Sequence, residues 1–234
     1  MINLRARART YYGLVKPGIV WGNALPAAAA FLFASQGRVD WILLVVMLLG
    51  LSCIIASAAT LNNYLDRDID ATMERTHNRA LVVGSIAPKR ALFFGFVLLA
   101  CGILVLGTTN MLALGTALFG FVVYVFWYTP LKRHSKHALW VGALAGATPP
   151  VVGYVAVTNT LDSTAVALFI FLCLWQLPHF LAIAVYRYDE YKAANIPLFI
   201  KKSPTQSQKQ LARRVFFGSL VVLVLFCTVL VLIA

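Results

Sequence analysis

Asn62, Asp66 and Asp70 recur every four residues at the end of an apolar run, within Asn62-Asn63-Tyr64-Leu65-Asp66-Arg67-Asp68-Ile69-Asp70. On a continuous helix each such step advances about 6 Å and rotates about 40°, so the three side chains form one stripe. Two neighbouring carboxylates repel, and a divalent cation between them removes that cost. Hard oxygen donors select magnesium or manganese, and magnesium commonly combines one or two carboxylates with phosphate oxygens and water. Asp66 and Asp70 are thus the expected metal ligands, with Asn62 as a neutral third ligand or a donor beside them. The competing reading is a solvated helix end whose acids balance nearby arginines. Against it, four of the eight acidic residues (Asp66, Asp68, Asp70 and Glu74) crowd into one short segment, and ionisable groups at membrane depth are costly and usually functional. Asp68 points off the stripe, where pairing with Arg67 or Arg75 and a role in the site stay equally open.

Basic residues follow the acids. Arg75 and Arg79 recur downstream at helical spacing, and Lys132-Arg133 follow Tyr128. Arginines beside a magnesium site suit a polyanion such as diphosphate; anchoring to the membrane face is a second role that does not exclude the first. The GxxxxGKS pattern is absent, which leaves a nucleotide-hydrolysing engine unsupported. Cys53, Cys101, Cys173 and Cys227 lie in separate apolar runs without CxxC spacing. They read as small buried residues, not as a zinc site or a disulfide framework.

The elements that must carry these residues are membrane spans. Of 234 residues, 61% are hydrophobic and 12% charged, too little charge to cover a soluble domain. The apolar residues come in runs of about 20, the length of a membrane-crossing helix. About seven spans are expected, near Pro17–Ser35, Trp41–Leu61, Ala91–Thr108, Met111–Tyr128, Ala138–Val157, Ser163–Tyr186 and Val215–Ala234. With that topology all 20 Lys and Arg residues except Arg38 fall on one face, which the positive-inside rule makes cytoplasmic. The formal charge of +12 then lies against anionic headgroups, so no nucleic-acid partner is needed. Arg5, Arg7 and Arg9 precede a first span that reads as retained, not as a cleaved leader. The seventh span reaches Ala234 without a polar flank, as in a truncated chain or a smaller closed bundle.

Several ordered motifs resemble one family. Asn62-xxx-Asp66-xxx-Asp70 is similar to the first aspartate-rich motif of the UbiA superfamily of membrane prenyltransferases. The stretch Asp70-Ala71-Thr72-Met73-Glu74-Arg75-Thr76-His77-Asn78-Arg79, with Gly84 and Pro88, resembles its heme-farnesylating branch. So do Tyr128 with Lys132-Arg133-His134-Ser135, Gly146-Ala147-Thr148-Pro149-Pro150, Trp175-Gln176-Leu177-Pro178-His179, and Tyr191-Lys192-Ala193-Ala194-Asn195-Ile196-Pro197. The likeness runs from about Lys16 to Pro197.

That resemblance implies one all-α membrane-embedded domain over residues 1–234, a helical bundle around a cavity open to the bilayer. The family's nine helices would leave two missing after Ala234. It implies a bacterial inner-membrane enzyme that moves farnesyl, with magnesium, from farnesyl diphosphate to a vinyl group of heme B. Water adds, giving heme O and diphosphate; terminal oxidases or heme-synthesis enzymes are the implied partners. Asn62, Asp66 and Asp70 would hold the metal, and Arg75, Arg79, Lys132 and Arg133 the diphosphate. His179, Tyr128 and Tyr191 would contact substrate. A second aspartate motif is reduced here to Asp189 and Glu190, the expected further metal contacts. Tyr64, Tyr124, Phe126 and Trp127 stand as cation-shielding rings or as ordinary packing. His179 follows Pro178 within a span, where iron ligation, a propionate bond and satisfaction of a kink carbonyl all remain open. Two other functions also remain open: prenylation of another aromatic acceptor such as a quinone precursor, and heme handling or transport without catalysis.

Overall fold

The computed structural model describes residues 4–234, with side chains from Arg7 onward; the Arg5 side chain, counted above with the basic face, lies outside the described residues. Among the described residues there are helices and no strands. In chain order they are α1 (Leu4–Leu14), α2 (Pro17–Ser35), α3 (Trp41–Leu65), α4 (Arg67–Asp70), α5 (Pro88–Gly107), α6 (Met111–Val122), a π-helical turn (Val123–Tyr128), α7 (Thr129–Leu131), α8 (Ala138–Gly146), α9 (Thr148–Thr158), α10 (Ser163–Tyr186), α11 (Tyr188–Ala193) and α12 (Gln206–Leu232). Among the described residues seven helical runs are long and apolar enough to cross a membrane, because α6 through α7 form one run and α8 with α9 another. The chain is an all-α, multi-pass membrane protein.

Span ends moved outward from the sequence reading. The second span ends at Leu65, not Leu61, so Asn62 and Asn63 are part of the helix. The third begins at Pro88 and the seventh at Gln206. The start of α5 needs no side-chain cap, because Pro88 lacks an N–H to satisfy, whereas α3, α10 and α12 begin on capping side chains that satisfy their free N–H groups. Asp40 Oδ1 accepts from the N–H groups of Ile42 (3.0 Å) and Leu43 (2.9 Å) to start α3. Asp162 caps α10 in the same way, and its other oxygen accepts from the Tyr154 hydroxyl of α9 at 2.8 Å. Thr205 and Gln208 form a reciprocal capping box that starts α12 among charged residues.

Large apolar residues point both inward and outward, as a bilayer solvent requires. Phe31, Met47, Ile54, Leu106 and Leu172 are fully buried, while Phe93, Leu104, Ile42 and Leu232 are exposed to the lipid side. Cys101 departs from expectation: it is exposed on α5, not buried. Helices approach closely where small residues meet, since apolar surface alone does not drive association in lipid. The α2–α9 contact is the tightest case, where a Cβ at Gly153 would lie 1.9 Å from the Ala27 carbonyl oxygen. The α8–α9 span is broken at Ala147, where Pro149 and Pro150 take first-turn positions that need no N–H donor.

Gly153→Ala is expected to push α2 from α9 and lower unfolding free energy by about 1–3 kcal/mol. Gly115→Ala, with open space around its Cβ, is expected to leave stability unchanged or raise it by up to about 1 kcal/mol. Thermal unfolding of both variants in detergent, compared side by side, checks the difference.

Candidate functional site

The stripe survives folding almost as drawn. Asp66 closes α3 and opens α4, yet its N–H still donates to the Asn62 carbonyl (2.9 Å), and the Asp70 N–H donates to the Asp66 carbonyl (2.8 Å). Asn62, Asp66 and Asp70 are all buried, at 2–3% exposure. Buried carboxylates demand compensation, because an isolated charge out of water is expensive. Each finds a cation from a distant segment. Lys132 Nζ donates to Asp66 Oδ2, and Arg79 Nη1 donates to Asp70 Oδ2 at 2.5 Å.

Asn62 ties three segments together. Its amide nitrogen donates to Asp66 Oδ2 (2.7 Å) and to Thr129 Oγ1 (3.0 Å), while its oxygen accepts from Lys16 Nζ (2.5 Å). Lys16 sits between α1 and α2 in the left-handed region, φ 50°, held in place when Asn63 Nδ2 donates to the Leu14 carbonyl at 2.8 Å. Sequence reading counted Lys16 only as a membrane-face charge. Its place in the site needed the turn that folds it back onto α3; the Lys-Pro step was the one visible signal of that turn. Burial, then repulsion from Arg79 and Lys132, lowers the Lys16 pKa to about 7.

A cavity of about 500 Å³ opens over this cluster, and five basic side chains (Lys16, Arg75, Arg79, Lys132 and Lys136) line it against the carboxylates of Asp66 and Asp70. The surplus of positive charge selects an anion. Tyr128 and Tyr191 also line it, and burial pushes the Tyr191 hydroxyl up to about 12, so it faces the cavity as a neutral donor. A second, more apolar chamber of about 530 Å³ adjoins the first, sharing Ile19, Tyr124, Tyr128 and Phe180 with it. The π-helical turn aligns Tyr124 and Tyr128, stacked at 5.3 Å, on one wall. Thr129 closes the turn by donating to the Tyr124 carbonyl at 2.8 Å. Gly142 leaves room for the Tyr128 ring, which a Cβ there would meet at 2.9 Å.

Not every expected residue joins the cluster. Arg133 does not line the cavity; it donates to Asp68 Oδ1 and Oδ2 (2.6 and 2.7 Å) and to the Leu65 carbonyl, with Asp66 Oδ1 3.7 Å away. Those hydrogen bonds hold the Asp68 pKa down to about 2, so Asp68 pairs across the fold and not with Arg67 or Arg75. Arg75 and Arg79 lie on a turn-rich segment instead of a helix. Glu190 binds Arg187 (2.6 Å) and stands 3.6 Å from Arg75; Asp189 is exposed and paired with Lys209. Neither is brought to Asp66 and Asp70, and no three His, Cys, Asp or Glu residues converge among the described residues. Phe126 and Trp127 face outward, and Arg67 lies over the Tyr64 ring away from the cavity. His179 lines the apolar chamber, stacked on Trp175.

The donor set nonetheless fits a hard divalent ion. Asp66 Oδ1 is buried and takes no hydrogen bond, which leaves one unsatisfied anionic oxygen beside a second carboxylate. Two carboxylates are what magnesium uses when a phosphate ligand supplies the remaining oxygens.

The model of the UbiA prenyltransferase family matches residues 23–234. Over 222 residues the chain is 44% identical to protoheme IX farnesyltransferase 2 of Chromobacterium violaceum, covering 93% of this chain and 74% of that one. It is 47% identical over 192 residues to the protoheme IX farnesyltransferase of Marinomonas sp., covering 81% of this chain and 65% of the relative. The chain thus spans a little under two thirds of the latter's length. Its fold matches a UbiA homolog from Archaeoglobus fulgidus bound to DMAPP and Mg2+, with a TM-score of 0.71 at 20% identity, over 94% of this chain and 76% of that one.

Breaking one buried ion pair should cost more than removing both members. Arg79→Met is expected to lower stability by about 3 kcal/mol, and Arg79→Met with Asp70→Asn to recover most of it. Equal losses in thermal unfolding would show that the stranded carboxylate is not the cause.

Proposed function

The chain belongs to the UbiA prenyltransferase family, and from that premise we propose that it farnesylates heme B to heme O. The observation that carries the reading is the buried Asn62–Asp66–Asp70 stripe under a cation-lined cavity, in a chain 44–47% identical to named protoheme IX farnesyltransferases. In the reaction the bond from farnesyl C1 to the diphosphate oxygen breaks, and C1 bonds to the terminal vinyl carbon. Water oxygen adds to the inner vinyl carbon and loses a proton, and diphosphate leaves.

Asp66 and Asp70, with Asn62, would hold magnesium or manganese, which supplies charge neutralisation for the departing diphosphate. Lys132 and Arg79, freed from the carboxylates, donate to the phosphate oxygens. Lys16 and Arg75 complete the cationic wall, and each such donor strengthens as charge develops on the leaving group. Tyr124 and Tyr128 stand between the polar and apolar chambers, where their ring faces oppose an allylic cation. The apolar chamber takes the farnesyl chain and excludes stray water. The bundle acts as one domain, with the N-terminus and the basic loops on the cytoplasmic face of a bacterial inner membrane. A terminal oxidase or a heme-synthesis enzyme is the partner that the family resemblance implies.

The deciding experiment expresses this 234-residue chain in a host lacking heme O and extracts membrane pigments for chromatography. Heme O is expected; a prenylated product from labelled farnesyl diphosphate and 4-hydroxybenzoate, without heme O, would replace this reading with quinone-precursor prenylation. Heme binding without diphosphate release would make the protein a carrier. Asp66→Ala and Asp70→Ala are each expected to remove heme O while the protein still inserts, and full activity in either sinks the metal assignment. Lys16→Met is expected to weaken farnesyl diphosphate binding about tenfold, from the loss of one charge-assisted hydrogen bond of about 1.5 kcal/mol, read as a rise in KM.

A further inference from the structure

The apolar chamber carries a hydrogen-bond chain that the diphosphate site does not use. Ser219, on α12, has its Oγ 2.6 Å from the Phe216 carbonyl oxygen and 2.7 Å from His179 Nδ1 on α10. A carbonyl oxygen has no proton to give, so the single hydroxyl hydrogen of Ser219 lies toward Phe216. The Ser219 oxygen is then an acceptor toward His179, and Nδ1 must carry the proton. No carboxylate pairs with His179 among the described residues, so the ring is neutral and Nε2 keeps its lone pair. Among those residues nothing hydrogen-bonds Nε2.

The ring is also fixed in orientation. Trp175 Nε1 donates to the Ser219 carbonyl at 2.9 Å, which pins α10 to α12 at the same residue. The Trp175 indole stacks on His179 with centroids 5.1 Å apart, and Phe216 lies 4.9 Å away on α12. All three residues line the chamber. A histidine with one nitrogen tied to a hydrogen-bond acceptor and the other open is the arrangement found at metal-ligating histidines, where the second partner sets tautomer and basicity.

We propose that Ser219 is a positioning residue that holds His179 as its Nδ1–H tautomer, presenting Nε2 to the iron of a porphyrin in the apolar chamber. The proposal rests on the heme reading above and adds to it the atom that binds the iron and the residue that prepares it. Ligation there anchors the acceptor by its metal, leaving the ring edge free to meet the prenyl carbon.

The test titrates heme B into the purified full chain in nanodiscs and follows the visible spectrum. Wild type is expected to bind with the spectrum of a histidine-ligated heme, and His179→Ala to lose it. Ser219→Ala is expected to weaken binding about 10- to 100-fold and shift the ligand-sensitive bands, and Ser219→Thr, which keeps the hydroxyl, to restore both. Wild-type affinity and spectrum in Ser219→Ala, with both lost in His179→Ala, overturn the positioning role and leave the heme reading standing. A wild-type heme spectrum retained in His179→Ala overturns the inference alone. Absence of heme binding in the wild type removes the inference and the heme reading together. Should Ser219→Ala not fold, 15N-histidine labelling of wild type reads the tautomer directly, the His179 signal being the one absent from His179→Gln. A proton on Nδ1 alone supports the proposal, and a proton on Nε2 overturns it.

Discussion

Two carboxylates one helical turn apart, out of contact with bulk water, set the terms for the rest of this structure. Asp66 and Asp70 repel each other and lose hydration, so the fold must deliver positive charge to each. It does so from segments far apart in sequence: Lys132 from the end of the fourth span, Arg79 from the turn-rich segment before α5, and Lys16 from the junction of α1 and α2. Asn62 joins these by using both ends of one amide. Polar packing at this end of the bundle therefore follows from one stripe on α3.

Under the proposed function, the ion pairs that stabilise this site are also those that a metal-diphosphate ligand would exchange. Carboxylates that trade lysine and arginine for a metal, and cations that trade carboxylates for phosphate, remain neutralised throughout. Lys16 and Arg75 line the cavity as cations beyond those paired with the two carboxylates. Close helix approach at glycines holds the frame, and the π-helical turn buries Val123 and Val125 in the core while it aligns Tyr124, Tyr128 and Thr129 on the site side. Irregular helix of this kind commonly marks function.

Behind the tyrosines the chemistry changes from ionic to apolar. The second chamber is lined by residues of α2, α3, α6, α8, α9, α10 and α12, and beyond the two tyrosines its polar lining side chains are Asn23, Thr148, Trp175, His179 and Gln176, the last tied to the carbonyls of Ala143 and Leu172, with Ser219 behind Trp175 and His179. With so few polar groups, each one's donor and acceptor roles can be worked out from its partners.

Local pattern determined the all-helical membrane class, seven spans and the Asn62–Asp66–Asp70 stripe. Each of these depends only on apolar run length or on helical period, which a chain carries residue by residue. Tertiary structure decided which charges meet. Arg133, adjacent to Lys132 in sequence, turns to Asp68 while Lys132 reaches Asp66, because neighbouring side chains on a helix end point in different directions. Asp189 and Glu190 are likewise adjacent, yet one pairs with Lys209 and the other with Arg187, 3.6 Å from Arg75. Lys16 and Ser219 carried no local motif strong enough to assign them, since their roles arise from contacts with Asn62 and His179 that lie 46 and 40 residues away. Spacing along a chain reports neighbours within an element; partners across elements exist only once helices pack.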